Sequence, residues 1–265
     1  MPAQGTPGTP GTAAVTGATS GIGRAFAGRF AAMGHNLIVT GRRGELLEQV
    51  AAGLRRDYGV DVKVMVGDLT DAGVLSSLER TLQGTEDLIY LVNNAGYGRG
   101  RVFAEDSADE QSALLSIHTL VPLRLTHAAL AVMRPRKRGS IIMVSSLASF
   151  APMPRGSVYA AAKAFLRIFA EGLHVENASE GIILQALVPG FTRSDFHRDG
   201  LADVPKDRRL SLLSWHSSEK VVEVSLRNLG RRVVCIPGAR NRLVRRVAGA
   251  LPRFLLYRLL RKSRR

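Results

Sequence analysis

Short runs of successive Val, Ile, Leu and Ala alternate along this chain with longer stretches whose apolar positions recur every three or four residues. A run with no polar face suits a strand covered on both sides, and the three-to-four spacing suits a helix with one buried stripe. The pattern predicts strands over residues 12–16, 36–40, 62–66, 88–92, 140–144, 182–188 and 232–236, and helices over 22–33, 45–58, 71–82, 109–133 and 158–178. Regular alternation of the two predicts an α/β chain: a single doubly wound parallel sheet of about seven strands with helices on both faces. Ligands of such sheets bind at the carboxyl ends of the strands, so the residues that follow each strand are the ones to read for chemistry.

The first strand runs into Thr16-Gly17-Ala18-Thr19-Ser20-Gly21-Ile22-Gly23 and then a helix. Glycines at these spacings let the backbone turn tightly and approach a ligand, and the helix N-terminus offers N–H groups to a pyrophosphate. The alternative is a structural turn that binds nothing. The second strand ends Val39-Thr40-Gly41-Arg42-Arg43, without the acid that would accept from a ribose 2′-hydroxyl. Two guanidinium groups suit a 2′-phosphate instead, so NADP(H) is the expected cofactor and NAD(H) the alternative, unless the arginines merely solvate the loop. The third strand ends Gly67-Asp68-Leu69-Thr70 and the fourth Asn93-Asn94-Ala95-Gly96. Asp68 is placed to accept from an adenine amino group, or to cap a helix, while Asn94 and Gly96 would shape the turn under a ribose. Ser145-Ser146 follows the fifth strand. Tyr159 and Lys163, four apart at a helix start, share one face. An ammonium beside a phenol favours its ionised form, which would make the pair a proton donor and acceptor near neutral pH.

Taken in order, these signatures resemble the short-chain dehydrogenase/reductase family and its Rossmann-type fold: Thr-Gly-x-x-x-Gly-Ile-Gly at 16–23, Asp68, Asn-Asn-Ala-Gly at 93–96, Ser146 with Tyr159-x-x-x-Lys163, and Pro189-Gly190. The resemblance implies that Tyr159 is the acid/base, that Lys163 binds the nicotinamide ribose and lowers the tyrosine pKa, and that Ser146 bonds the substrate oxygen. It implies that Gly17, Thr19, Ser20, Gly21, Ile22, Gly23, Leu69, Ala95, Pro189, Gly190 and Thr192 contact the cofactor. Where the family carries a fourth catalytic residue, an asparagine whose backbone carbonyl holds a relay water, this chain has His118. A histidine could keep that relay, could titrate, or could be a helix-kink residue without a chemical role. The expected reaction is hydride transfer between nicotinamide and a carbonyl or alcohol substrate.

Composition sharpens this picture at the ends. The chain has 265 residues, a formal net charge of +15 and one cysteine, Cys235, so neither a disulfide framework nor a zinc cluster is expected. Thirteen of the 37 Lys and Arg lie from Arg227 onward, where no Asp or Glu occurs, while the other 24 face 22 acidic residues. A nearly neutral body argues against a nucleic-acid binder. Residues 1–11 are expected to be a disordered lead-in, 12–238 the sheet domain, and 239–265 a basic tail of two amphipathic helices. Leu243, Val244, Val247, Ala248 and Leu251 share a face of the first, and Leu255, Leu256, Leu259 and Leu260 of the second. Such helices either dock on the body or a partner, or lie on an anionic membrane surface. With neither a signal peptide nor an apolar run long enough to span a bilayer, the expected setting is cytoplasmic, at its membrane face if the tail binds lipid. Residues 191–218, with Phe191, Phe196, Leu201, Leu210, Leu212, Leu213 and Trp215, read as a substrate lid, and with Tyr97, Phe150 and Met153 suggest a lipophilic substrate. The family's habits imply a homo-oligomer. A second function class is a catalytically weak dinucleotide-binding scaffold or sensor with a partner-binding tail.

Overall fold

The computed structural model describes residues 10–192 and 216–262. Seven strands, β1 (Thr12–Val15), β2 (Asn36–Gly41), β3 (Val62–Val66), β4 (Leu88–Asn93), β5 (Gly139–Val144), β6 (Ile182–Leu187) and β7 (Val234–Cys235), form one all-parallel sheet in the order β3-β2-β1-β4-β5-β6-β7. The order reverses between β1 and β4, which opens a crevice above their carboxyl ends. Gly11, the last residue of the expected lead-in, is buried and belongs to the sheet's lower rim: its N–H reaches His35 Nδ1 at 3.2 Å and its carbonyl accepts from the Asn36 N–H.

Strand side chains alternate between two cores, as the period of two demands. Val15, Val39, Val92, Ile142 and Leu187 face α1 (Gly21–Ala31), α2 (Gly44–Tyr58) and α7 (Ser218–Asn228). Ala14, Ile38, Leu91, Ile141 and Ala186 face the other side, against α3 (Ala72–Gln83), α4 (Ala108–His118), α5 (Leu120–Met133) and α6 (Ser157–Glu176). Two further helices, α8 (Ala239–Ala250) and α9 (Arg253–Lys262), close the chain. Asp71 caps α3, its carboxylate accepting from the Gly73 and Val74 N–H groups at 2.8 and 2.9 Å.

One helix departs from the sequence expectation. The stretch predicted as a single helix over 109–133 is broken at Thr119 (φ −128°, ψ −64°) into α4 and α5. Pro122 supplies the reason: it has no N–H for the carbonyl four residues earlier, which is that of His118, and its ring crowds the same turn. The break falls next to His118, which the resemblance sets at the family's fourth catalytic position. The expected lid falls mostly in 193–215, outside the described residues, as does nearly all of the lead-in, residues 1–9.

Candidate active site

At the end of β1 the glycine loop is held against the loop that follows β4. Thr16 Oγ1 accepts from the backbone N–H groups of Asn94 and Ala95 at 2.9 and 3.0 Å, and the Asn94 amide donates to the carbonyls of Thr16 and Gly17 at 2.9 and 3.1 Å. The fit leaves no room for a side chain at the start of α1: a Cβ on Gly23 would lie 2.2 Å from the Gly17 carbonyl oxygen. Ser20 precedes the helix without a side-chain cap, so the first-turn N–H groups of α1 face the crevice without one. Such a cradle of tight backbone and uncapped helix terminus fits a dinucleotide pyrophosphate.

The arginines after β2 frame the same loop. Arg43 donates to Thr19 Oγ1 at 2.9 Å and Ser20 Oγ at 3.1 Å. Arg42 lies 3.6 Å from the Asp68 carboxylate and 5.7 Å over the Tyr97 ring, with its side chain 64% exposed. Asp68 accepts from both the N–H and the hydroxyl of Thr70 at 2.9 and 2.8 Å. Partial burial raises its pKa, but the Thr70 bonds and the Arg42 charge outweigh burial and leave it below the usual carboxylate range. Arg42, Arg43 and Asp68 thus sit together beside the glycine loop, where the sequence reading expects an adenosine. Ile22 packs on the α1 side of the sheet, and the Leu69 side chain is buried in the same core cluster as Leu75 and Leu78.

β5 leads into Ser145 and Ser146, and α6 delivers Tyr159 and Lys163. Ser145 Oγ donates to the Lys163 carbonyl at 2.7 Å, and the Lys163 ammonium donates to the Val144 carbonyl at 2.7 Å, so strand and helix are stitched together under the site. Lys163 Nζ lies 5.6 Å from the Tyr159 ring centre. Both side chains are buried, and burial pushes Tyr159 up to about 12 and Lys163 down to about 7. The shift of Tyr159 runs opposite in direction to the lowering that the resemblance implies. With lysine itself partly neutral at pH 7, its charge does not offset the desolvation of the phenol, and the opposing influence is the hydrogen bond with Ser146.

His118 is fully buried beside this pair. Its ring meets the Tyr159 ring edge-on at 5.5 Å, and Nε2 lies 2.8 Å from the Tyr97 carbonyl. A carbonyl can only accept, so Nε2 carries the proton and Nδ1 presents a lone pair, which has no hydrogen-bond partner among the described residues. Burial and the Lys163 charge hold the ring well below the ordinary histidine pKa, so the imidazole is neutral at physiological pH. The ring occupies the space over Gly96.

Pro189, Gly190 and Thr192 follow β6 on the same rim; Thr192 is buried and pairs in a parallel bridge with His216. Sequence reasoning missed Asn241. The first turn of α8 places its buried amide against Gly190, with Nδ2 donating to the Pro237 carbonyl at 2.8 Å and Oδ1 without a partner among the described residues. No local signal marks that contact. Phe150, expected to line the substrate pocket, is taken up by the guanidinium groups of Arg167 and Arg245, 4.7 and 5.1 Å from its ring centre.

Comparison with known proteins shows the family and the fold. Residues 11–204 match the short chain dehydrogenase family. The chain is 36% identical over 188 residues, 69% of its length, to the very-long-chain 3-oxoacyl-CoA reductase of Anas platyrhynchos. It is 34% identical over 179 residues, 67% of its length, to the inactive hydroxysteroid dehydrogenase-like protein 1 of Pongo abelii. The matches span 60% and 54% of those relatives' own lengths. Among solved structures, a short-chain dehydrogenase from Sphingobium yanoikuyae in complex with NADPH superposes with a TM-score of 0.79 at 31% identity, covering 87% of this chain and 89% of that one.

Proposed function

The chain belongs to the short-chain dehydrogenase/reductase family, and from that premise we propose that it is an NADP(H)-dependent oxidoreductase interconverting a lipophilic ketone and its alcohol. The observation that carries this reading is the buried Tyr159 and Lys163 with half-buried Ser146 beside a glycine cradle bordered by two arginines. The nicotinamide cofactor, when bound, supplies or takes the hydride.

The chain's own residues supply the proton and the geometry. Ser146 bonds the substrate oxygen and holds Tyr159 in place. In reduction the Tyr159 hydroxyl gives its proton to the oxygen as negative charge develops there, and the C=O becomes CH–OH. A phenol pushed up to about 12 is fully protonated at neutral pH, which suits a proton donor. Lys163, poised at about 7, is the group nearest at hand to share the compensating proton. Neutral His118 fixes the Tyr97 carbonyl and covers one side of the Tyr159 ring. Arg42 and Arg43 would hold a 2′-phosphate, and the relative solved with NADPH supports that choice. The relatives' names point to 3-oxoacyl thioesters and ketosteroids as the first compounds to try. We further expect a homo-oligomer, in keeping with the exposed Leu115, Leu120 and Leu123 along α4 and α5.

Oxidation of NADPH and NADH is followed with a panel of long-chain 3-oxoacyl thioesters, ketosteroids and sugars. Turnover with NADPH and an apolar ketone is the expected result. NADPH binding with no turnover across the panel would favour the alternative, a dinucleotide-binding protein without catalysis; the relative from Pongo abelii is named as inactive.

A further inference from the structure

Beside Phe150, between α6, α7, β7 and α8, lies an open cleft of about 480 Å3 that the catalytic reading leaves unused. Phe150, Arg167, Arg232, Arg242, Arg245 and Arg246 line it. Glu171 is the one carboxylate in the lining, and it is bound to Arg167 at 2.8 Å. Among the described residues the other four guanidinium groups have no carboxylate partner. Arg245 instead lies on the Phe150 ring, and Arg242 donates to the Ile236 carbonyl at 3.3 Å. Like charges gathered around one space repel unless an anion joins them, and planar guanidinium forks match phosphate oxygens.

The helix that contributes three of these arginines also exposes large apolar side chains. On α8, Leu243 is 60% and Val247 54% exposed, one turn apart and flanked by Arg242, Arg245 and Arg246. On α9, Phe254, Leu255 and Tyr257 are exposed as well. Of the apolar face of α8, Leu243 and Val247 stay exposed while Val244 and Leu251 are half-buried, and the contacts to the body include Asn241 against Gly190 and Arg245 against Phe150.

We propose that this surface docks the protein on an anionic phospholipid bilayer, with lipid phosphates in the arginine cleft and the aliphatic and aromatic side chains of α8 and α9 at the acyl boundary. Charge complementarity selects that occupant. A second copy of the same tail, with no acidic residue after Glu223, would repel it. A soluble phosphate or a nucleic acid offers nothing to Leu243 and Val247, whereas a bilayer takes up both kinds of group at once.

The full chain is sedimented with vesicles of phosphatidylcholine alone and of phosphatidylcholine with phosphatidylglycerol, at low and high salt. The wild type is expected to bind the anionic vesicles and to leave the neutral ones in solution. Each arginine near an anionic surface contributes about a fivefold factor. A variant with Arg242→Gln, Arg245→Gln and Arg246→Gln should therefore partition about a hundredfold less, with its circular dichroism unchanged. A Leu243→Ser, Val247→Ser variant should lose the portion of binding that survives salt. Equal recovery with neutral and anionic vesicles, or wild-type binding by the arginine variant, would overturn the proposal. So would release of the bound protein by millimolar inorganic phosphate at constant ionic strength, retention on duplex DNA without vesicle binding, or a dimer that the serine variant dissolves without vesicle binding. Vesicle binding needs no turnover, so its outcome stands apart from the reductase assignment.

Discussion

A methyl group added at Gly96 tests how the site accommodates a histidine in place of the family's asparagine. Gly96 has φ +154°, and a Cβ built there falls 2.0 Å from His118 Cε1 and 2.6 Å from Nδ1. Carbon atoms in contact prefer about 3.5–4.0 Å. The ring has nowhere to go: it is wholly buried, tied through Nε2 to the Tyr97 carbonyl and packed edge-on against Tyr159. Overpacking of this kind costs roughly 1–3 kcal/mol, and a side chain in an unfavourable backbone region costs about 1–3 kcal/mol more. Gly96→Ala should thus destabilise the chain by about 2–6 kcal/mol and lower its melting temperature by roughly 4–24 °C for a domain of this size. His118→Ala removes the clash, so the double variant should lose about 1–3 kcal/mol less than the two single variants together. Thermal and urea unfolding of the four proteins measures this coupling. A Gly96→Ala protein that melts within a degree of wild type, or strictly additive losses, would refute the packing of His118 over Gly96.

The adenosine end makes a separate prediction: Arg43→Ala should weaken NADPH binding by about 10- to 100-fold, the loss of one charge-assisted phosphate bond, while NADH binding changes by less than about threefold, as read by fluorescence titration. Lys163 gives a pH signature. Its folded pKa of about 7 lies below the unfolded value of 10.5, so between those limits the unfolded chain holds more protons and this residue makes stability rise with pH. Relative to a Lys163→Met variant, wild type should gain on the order of 3 kcal/mol between pH 7 and pH 10 in urea unfolding, and a flat difference would show that the lysine is not desolvated. Asp71→Ala removes the double N-cap of α3 and should cost about 1 kcal/mol in the same assay, with no change in cofactor binding.

The sheet was legible because its strands are buried on both faces: runs such as Leu37-Ile38-Val39 and Ile141-Ile142-Met143-Val144 leave no other reading for so short an apolar stretch. The glycine loop was legible because its chemistry is local, each residue being required by the turn or the helix start it occupies. The break at Thr119 had a local signal too, Pro122, which the periodicity of the surrounding helix concealed. β7 is confined to Val234–Cys235, two residues of the five the pattern gave, because the polar Arg232 falls outside the ladder. α7 had no clear stripe in sequence, as its buried Ser218, Val221, Val222 and Ser225 mix small polar with β-branched groups. What the sequence could not show are contacts between distant segments: His118 over Gly96, Asn241 against Gly190, and Phe150 between two arginines. Those depend on how helices settle on the sheet. The pKa values of Tyr159 and Lys163 escaped it for the same reason, since burial, which only the packed structure reveals, dominates both.

The most direct test of the central assignment is a comparison of wild type and Tyr159→Phe in single-turnover oxidation of NADPH with whichever apolar ketone the panel identifies. General acid catalysis by a positioned side chain contributes about 10²–10⁴-fold. The phenylalanine variant should therefore bind NADPH as wild type does and transfer hydride at least about a hundredfold more slowly. A variant that reduces the same ketone within a few-fold of the wild-type rate would show that Tyr159 is not the proton donor and that the catalytic reading of this cluster is wrong.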